Sequence, residues 1–138
     1  MRRFFYPLYT YIIVCLSGGF AYGLIELTAR GRTHITMGLL GGAAMCFIHR
    51  LNEENRNAAD AFFKLMLSAA VITLAELLTG LLLNVKMGLR IWNFSRMPYN
   101  LYGQICPAFS LMWYFLSGVG MLFDSMLRRT FIRTNCTK

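Results

Sequence analysis

Apolar residues in this chain gather in long continuous runs separated by short polar stretches. Four runs cover residues 8–27, 33–49, 62–83 and 104–127. About 20 residues of helix span the hydrocarbon core of a bilayer, and runs without period-2 alternation are not typical of barrel strands. The pattern therefore predicts an all-α, polytopic membrane protein: a four-helix transmembrane bundle forming one integral membrane domain over residues 1–138.

The second run is the weakest of the four. It is rich in glycine and, at residues 33–49, has about the minimum length for a membrane crossing, so it either spans or forms a re-entrant segment. A polar hinge over residues 52–57 follows it. The first run resembles a signal peptide, but Leu27 stands where a cleavage site requires a small residue, so we expect a retained anchor.

The composition supports a membrane protein, since 57% of the residues are hydrophobic and 14% are charged. The net charge of +8 comes from Lys and Arg at the ends of the apolar runs. This distribution fits anionic lipid head groups rather than a groove that follows nucleic-acid phosphates. We therefore expect the lipid bilayer as a partner and no nucleic acid.

If all four runs cross the membrane, both termini lie on the same side. The side with the termini then carries nine basic residues: Arg2, Arg3, Arg50, Arg56, Lys64, Arg128, Arg129, Arg133 and Lys138. The opposite side carries five: Arg30, Arg32, Lys86, Arg90 and Arg96. Because cytoplasmic loops have an excess of Lys and Arg, the count predicts a plasma-membrane protein with cytoplasmic N- and C-termini.

One acidic residue, Glu76, lies in the middle of the third apolar run. Gly80 and Asn84 follow at intervals of four residues and Thr73 precedes, so all four share one side of a helix. An acid at this depth is costly and commonly serves transport. Two interpretations remain open: a hydrated stripe in which Glu76 exchanges a proton or binds a cation, and a structural acid that is hydrogen-bonded to a neighbouring helix.

The segment between the third and fourth runs mixes aromatic, basic and turn-forming residues, and Pro98 disfavours helix at Met97. It is either an interfacial belt, with Trp92, Tyr99 and Tyr102 at the head groups, or a structured loop that folds back over the stripe as an outer gate. The residues of this candidate gate are Trp92, Asn93, Ser95, Pro98, Asn100, Gly103 and Gln104.

Small residues four positions apart allow membrane helices to approach closely. Gly19 and Gly23 form such a pair in the first run, and Gly38 and Gly42 form another in the second. We interpret all four glycines as helix-packing residues.

Other chemistry is sparse. The four cysteines form no C-x-x-C pair, and no nucleophile stands beside a base, so we expect no metal site, no cofactor and no enzymatic activity. His49 has Glu53 four residues later as a potential partner, and Asp124 has Arg128 at the same interval.

The segment after Glu76 resembles the CmpB-like family of small bacterial integral membrane proteins labelled putative type IV ABC transporters. That family has a Trp-Asp-Tyr-Ser motif, then Pro-x-Asn-x-x-Gly, a Ser and a Trp in the next helix, and a Glu in the preceding one. Here Asn93 replaces the Asp and Phe94 the Tyr, which removes a charge and a hydroxyl. The matching positions are Glu76, Trp92, Ser95, Pro98, Asn100, Gly103, Ser110 and Trp113.

The resemblance covers roughly residues 35–127 and implies a component of a transporter. The chain has no G-x-x-x-x-G-K-[ST] phosphate loop, so an ATPase would have to be another chain. We expect a transporter-like, channel-like or permease subunit of unknown substrate, with Glu76 as the coupling acid. Since four short helices enclose little volume, a homo-oligomer is expected. The alternative is a non-transporting membrane scaffold or a regulatory subunit.

Overall fold

The computed structural model describes the backbone of residues 2–52 and 57–136 and the side chains of residues 8–52 and 57–130. Four α-helices run through these parts: α1 (Arg2–Arg30), α2 (Ile35–Asn52), α3 (Ala58–Gly80) and α4 (Pro107–Cys136). A π-helical turn, Leu81–Lys86, continues directly from α3. The prediction of an all-α protein is confirmed for the described residues, which include no β-strand.

Among the described residues, three stretches are long and apolar enough to cross a membrane: Leu8–Arg30, Ala58–Lys86 and Pro107–Thr130. The protein is therefore a membrane protein. The second predicted span corresponds to α2, which is not among these three because its C-terminal end carries His49, Arg50 and Asn52. Three predicted spans thus have structural support, whereas the crossing by α2 stays a prediction.

The helices extend beyond the apolar runs from which they were predicted. α1 continues to Arg30, and α4 continues past Arg128 to Cys136. Basic side chains are good helix formers, so a helix does not end where hydrophobicity ends.

Several residues named in the sequence predictions have side chains outside the described part: Arg2, Arg3, Glu53, Arg56, Arg133 and Lys138.

The chain divides into two compact units. The first consists of residues up to Asn57 together with those from Gly118 onward, and the second is Ala58–Ser117. The prediction of a single domain over the whole chain stays a prediction.

In the first unit, α1 and α2 form an antiparallel hairpin with almost no space between the backbones. A Cβ atom on Gly19 would lie 2.7 Å from the carbonyl oxygen of Gly38, and one on Gly42 would lie 2.8 Å from Cys15 Sγ. A Cβ atom on Gly18 would overlap the side chain of Met45. Glycine is therefore required at these three positions, Gly18, Gly19 and Gly42, because a side chain there would force the helices apart.

In the second unit, α3 packs against the first turns of α4. Thr73 Oγ1 donates a hydrogen bond to Ser110 Oγ at 3.2 Å, which fixes the register of the two antiparallel helices. An open apolar groove of about 470 Å³ runs along this pair and is lined by Ala70, Thr73, Ser110 and Tyr114 among others. The loop between the two helices belongs to the same unit.

Candidate functional site

Glu76 lies on the buried face of α3, with only 2% of its surface exposed. Its carboxylate oxygen Oε2 accepts a hydrogen bond of 2.9 Å from the indole Nε1 of Trp113 on α4. Ser68, Ile72 and Gly80 belong to the same buried face. The acid therefore faces protein rather than lipid, as the cost of a charge in hydrocarbon requires.

Thr73 occupies the next position on this side of the helix. Its hydroxyl donates to Ser110 Oγ, and Ser110 Oγ in turn donates to the carbonyl oxygen of Cys106 at 3.2 Å. Two hydroxyl groups thus join α3 to the first turn of α4 one helical turn from Glu76.

Asn84 lies in the π-helical turn and is also buried. Its Nδ2 donates to the carbonyl oxygen of Trp92 at 3.1 Å and to Gln104 Oε1 at 2.8 Å, while its Oδ1 accepts from the backbone N–H of Ile91 at 2.7 Å. The wider turn changes the direction of the side chain, and such turns are frequent at functional sites. Asn84 therefore fixes both ends of the following loop.

Gly80 provides the space into which the loop fits. A Cβ atom there would lie 2.5 Å from Gln104 Oε1 and 3.0 Å from Trp92 Cζ2. The loop therefore covers the stripe at Gly80 and Asn84, and no side chain separates it from α3.

The loop is held in shape by its own polar side chains. Asn93 Oδ1 accepts hydrogen bonds from the backbone N–H of Ser95 at 2.8 Å and from the Ser95 hydroxyl. Asn100 Nδ2 donates to the Met97 carbonyl at 2.8 Å, and Asn100 Oδ1 accepts from the Gly103 N–H at 3.0 Å. Pro98, exposed, occupies the turn between these contacts.

Gly103 has a φ of +68°, and a Cβ atom there would lie 2.5 Å from Ser95 Oγ. Both its conformation and its surroundings therefore require glycine. The bonds made by Asn93 and Asn100 belong to a folded loop rather than to a plain interfacial segment.

The belt interpretation is wrong for one of its three aromatic residues. Trp92 is only 3% exposed, and its Nε1 donates to the carbonyl oxygen of Gln104 at 3.0 Å. A buried indole needs such a partner, and Gln104 supplies it inside the loop. Tyr99 and Tyr102, by contrast, are 90% and 76% exposed and retain the character of interfacial residues.

The predicted packing glycines differ in how closely they are packed. Gly19 and Gly42 lie at the tight contacts described above. A Cβ atom on Gly23 would meet only Thr33 Oγ1 at 3.9 Å, and one on Gly38 would meet the Gly19 carbonyl at 3.8 Å. The tight contacts of Gly18 and Gly41 were not predicted, because the four-residue interval selects a face of one helix and not its register against the other.

A second polar cluster lies in the first unit, and the sequence indicated only part of it. Asp124 is fully buried, and its Oδ2 accepts hydrogen bonds of 2.8 Å from Arg128 Nε and from Asn52 Nδ2. Its Oδ1 lies in hydrogen-bonding contact with His49 Nδ1. Arg128 also donates to the backbone carbonyl of His49 at 2.7 Å.

The Asp124–Arg128 pair predicted from the four-residue interval is confirmed. The contact between His49 and Asp124 was missed, since 75 residues separate them and no local interval points to it. The ring of Tyr11 on α1 packs edge-on against His49 at 5.0 Å between centroids. The cluster therefore joins α1, α2 and the C-terminal part of α4. The predicted partner of His49, Glu53, lies outside the described residues.

Within the part of the chain that the structure describes, no three His, Cys, Asp or Glu side chains come together as a metal site would require. The expectations of no metal, no cofactor and no enzymatic activity stay predictions.

A family model described as "Putative ABC-transporter type IV" matches residues 35–136, which include Glu76, Trp113, the loop and the Asp124 cluster. No curated protein and no solved structure matches the chain.

Proposed function

Because the chain belongs to the family described as putative type IV ABC transporters, we propose that it is a permease-like membrane subunit of a transport system. Its substrate passes beside the face of α3 that carries Glu76, and Glu76 is the acid that couples passage to a change in charge. The family membership drawn from the sequence is confirmed, whereas the role of Glu76 is our proposal.

The observation that carries the proposal is a carboxyl group buried inside a helix suited to cross a membrane. Glu76 is 2% exposed and lies within the apolar stretch Ala58–Lys86. A carboxyl oxygen accepts a hydrogen bond whether or not the group is ionised, so Trp113 holds Glu76 in place in both states. Glu76 can therefore gain or lose a proton without rearrangement of this contact.

The loop serves as the gate at one end of the stripe. Gln104 contacts both Gly80 and Asn84, and Trp92 also lies against Gly80, so displacement of these two side chains together would uncover the α3 face. Tyr99 and Tyr102 anchor the exposed side of the loop at the lipid head groups.

The transport system includes a separate ATPase, because this chain has no phosphate-binding loop. The chain itself acts as a homo-oligomer, since a few short helices enclose little volume and a path forms more readily between protomers. It resides in the plasma membrane.

Both termini lie on the cytoplasmic side. Two contacts in the first unit support this topology: His49 packs against Tyr11, near the start of α1, and bonds Asp124, near the end of α4. The start of α1 and the end of α4 therefore lie at the same level, as an even number of crossings requires. The excess of basic residues at that end selects the cytoplasm.

A scaffold or regulatory subunit is the second candidate, and one observation favours it. Thr73, Glu76 and Asn84 all have hydrogen-bonding partners within their own unit, which is also what a purely structural stripe would show. In that case loss of the acid would reduce assembly rather than transport.

The test is proton entry into proteoliposomes that contain the complex as purified from the host membrane, under an imposed pH gradient and followed with an enclosed pH-sensitive dye. We expect Glu76→Gln to insert and to elute like the wild type but to lose pH-dependent proton entry. The matched control is Glu26→Gln, which alters another buried glutamate of an apolar helix, one paired with Arg30 at 3.3 Å. Normal proton entry in the Glu76 variant would eliminate the coupling role of Glu76. If that variant fails to assemble into its complex but shows no defect in proton entry, the scaffold is favoured.

A further inference from the structure

Two serines in the second unit, Ser68 on α3 and Ser117 on α4, are almost completely buried. Ser68 has 0% of its surface exposed and Ser117 has 1%. Among the residues that the structure describes, neither hydroxyl has a hydrogen-bonding partner. These two groups are the exception to the rule that buried polar atoms have partners.

Other hydroxyls in the helices of this protein bond to a carbonyl one turn earlier. Thr79 Oγ1 donates to Ala75 at 2.7 Å, and Ser110 Oγ donates to Cys106 at 3.2 Å. This is the usual arrangement for Ser and Thr within a helix. Ser68 and Ser117 instead carry unsatisfied groups into a low-dielectric interior, which is unfavourable unless a ligand completes their hydrogen bonds.

The register of the two helices brings these serines to the same level. Thr73 pairs with Ser110, and α3 and α4 run antiparallel. Seven residues further along α4 is Ser117, which corresponds to residue 66 on α3. The Trp113–Glu76 contact gives residue 72 in the same way, so Ser68 lies between the two positions and within about one helical turn of Ser117 along the axis.

Both serines also share the buried faces on which Glu76 and Trp113 meet. Ser68 belongs to the same buried face of α3 as Glu76, and Ser117 follows Trp113 by one turn of α4. We propose that Ser68 and Ser117 together bind a water molecule between α3 and α4, and that this water lies on the proton route to Glu76.

Water fits this site better than a metal cation or a larger ligand. Each hydroxyl supplies one donor and two acceptor lone pairs, which suits a water that makes two to four hydrogen bonds. Two neutral oxygens are too few to replace the hydration shell of a cation, which takes six or more oxygen ligands when divalent. The site therefore extends the polar stripe past Glu76, away from the loop.

The test is a double-mutant cycle with Ser68→Ala, Ser117→Ala and both changes together, measured as the thermal midpoint of unfolding in detergent. If the hydroxyls share a water, each single change leaves the other hydroxyl without a partner and lowers the midpoint, whereas the double variant, in which both polar groups are gone, recovers toward the wild type. Ser17→Ala is the control, since that hydroxyl bonds the carbonyl of Val14 within its own helix. A midpoint that is unchanged or raised in both single variants would overturn the site, because removal of an unpartnered hydroxyl is stabilising.

The route is tested separately, and this part rests on the proposed function. Proton entry into proteoliposomes should be slowed in the double serine variant, and the serine changes should add nothing in a Glu76→Gln background. Lowered midpoints in the single variants together with unchanged proton entry would overturn the route. If the wild type itself shows no proton entry, the coupling role of Glu76 fails, whereas the thermal midpoints still decide whether the serines bind water.

Discussion

At the level of single residues, the buried polar side chains of this protein depend on partners far away in the sequence. Glu76 relies on Trp113, 37 residues later, and Asp124 relies on His49, 75 residues earlier. Each pairing satisfies a group that would otherwise be very costly at that depth. Such pairs therefore determine which helix faces meet.

The Asp124 cluster should contribute strongly to stability. We expect Asp124→Asn to lower the free energy of unfolding by about 1–3 kcal/mol, because the fully buried carboxylate that accepts hydrogen bonds from Arg128 and Asn52 is lost. The matched control is Asp60→Asn, which breaks another Asp–basic pair at an interval of four residues. Asp60 pairs with Lys64 at 2.9 Å but is 36% exposed, so the change should cost at most about 1 kcal/mol.

Denaturant titration in mild detergent measures both variants. Equal losses of stability in the two variants would show that burial of Asp124 does not strengthen its interaction with Arg128.

The residues of the stripe could be predicted from the sequence because intervals of four positions define a helix face. Glu76 and Asn84 are buried on α3 and its π-helical continuation, as that pattern requires. The partners could not be derived in this way. Trp113 was indicated only through the family motif, and no sequence pattern indicated His49 or Asn52 as partners of Asp124. Side-chain contacts between two helices depend on the register of one helix against the other, which hydrophobicity does not encode.

At the level of elements, the α1–α2 hairpin is held together by backbone contact. We expect Gly19→Ala to destabilise the protein by about 1–3 kcal/mol, because the new Cβ would lie 2.7 Å from the Gly38 carbonyl oxygen. Gly23→Ala is the control: its Cβ meets nothing closer than 3.9 Å, and alanine favours helix. The midpoint temperature of thermal unfolding should therefore be lowered only by Gly19→Ala. Similar midpoints for the two variants would contradict close packing at Gly19.

Whether α2 crosses the membrane is the open question of the fold. Its contacts with α1 extend from Gly19 to Tyr11, so it runs beside a helix that is apolar enough to span. We therefore expect α2 to cross, although His49 and Asn52 lower its hydropathy. The side chains of His49 and Asn52 both bond Asp124, so their polar groups are satisfied within the protein. Hydropathy alone therefore underestimates the ability of α2 to cross the membrane.

Substituted-cysteine labelling of intact cells decides the crossing. Arg32→Cys and Asn57→Cys, one on each side of α2 and both exposed, should react from opposite sides of the membrane. Labelling of both from the same side would make α2 re-entrant. The native cysteines are replaced first: Cys15, Cys46, Cys106 and Cys136.

The loop shows a further limit of inference from sequence. Its aromatic composition is typical of an interfacial belt, yet Trp92 is buried while Tyr99 and Tyr102 are exposed. Composition cannot distinguish these three residues, because the difference arises from contacts within the fold: the Trp92 indole donates to the Gln104 carbonyl and lies against Gly80. The alternative prediction, a structured loop over the stripe, describes the observed contacts.

At the level of the whole molecule, the chain is a membrane protein of a transporter-related family. Three helices of its described part are able to span, and each carries a buried acidic residue: Glu26, Glu76 and Asp124. We propose that a second protein of the transport system hydrolyses ATP for this chain. Our central claim is therefore that it works as a subunit of a transport complex.

Native mass spectrometry of the tagged protein, purified gently from its own host membrane, tests this claim most directly. We predict a complex in which this chain is accompanied at fixed stoichiometry by a protein that carries a nucleotide-binding phosphate loop. Recovery of the chain only with itself, or with a stoichiometric partner that lacks such a loop, would contradict the account.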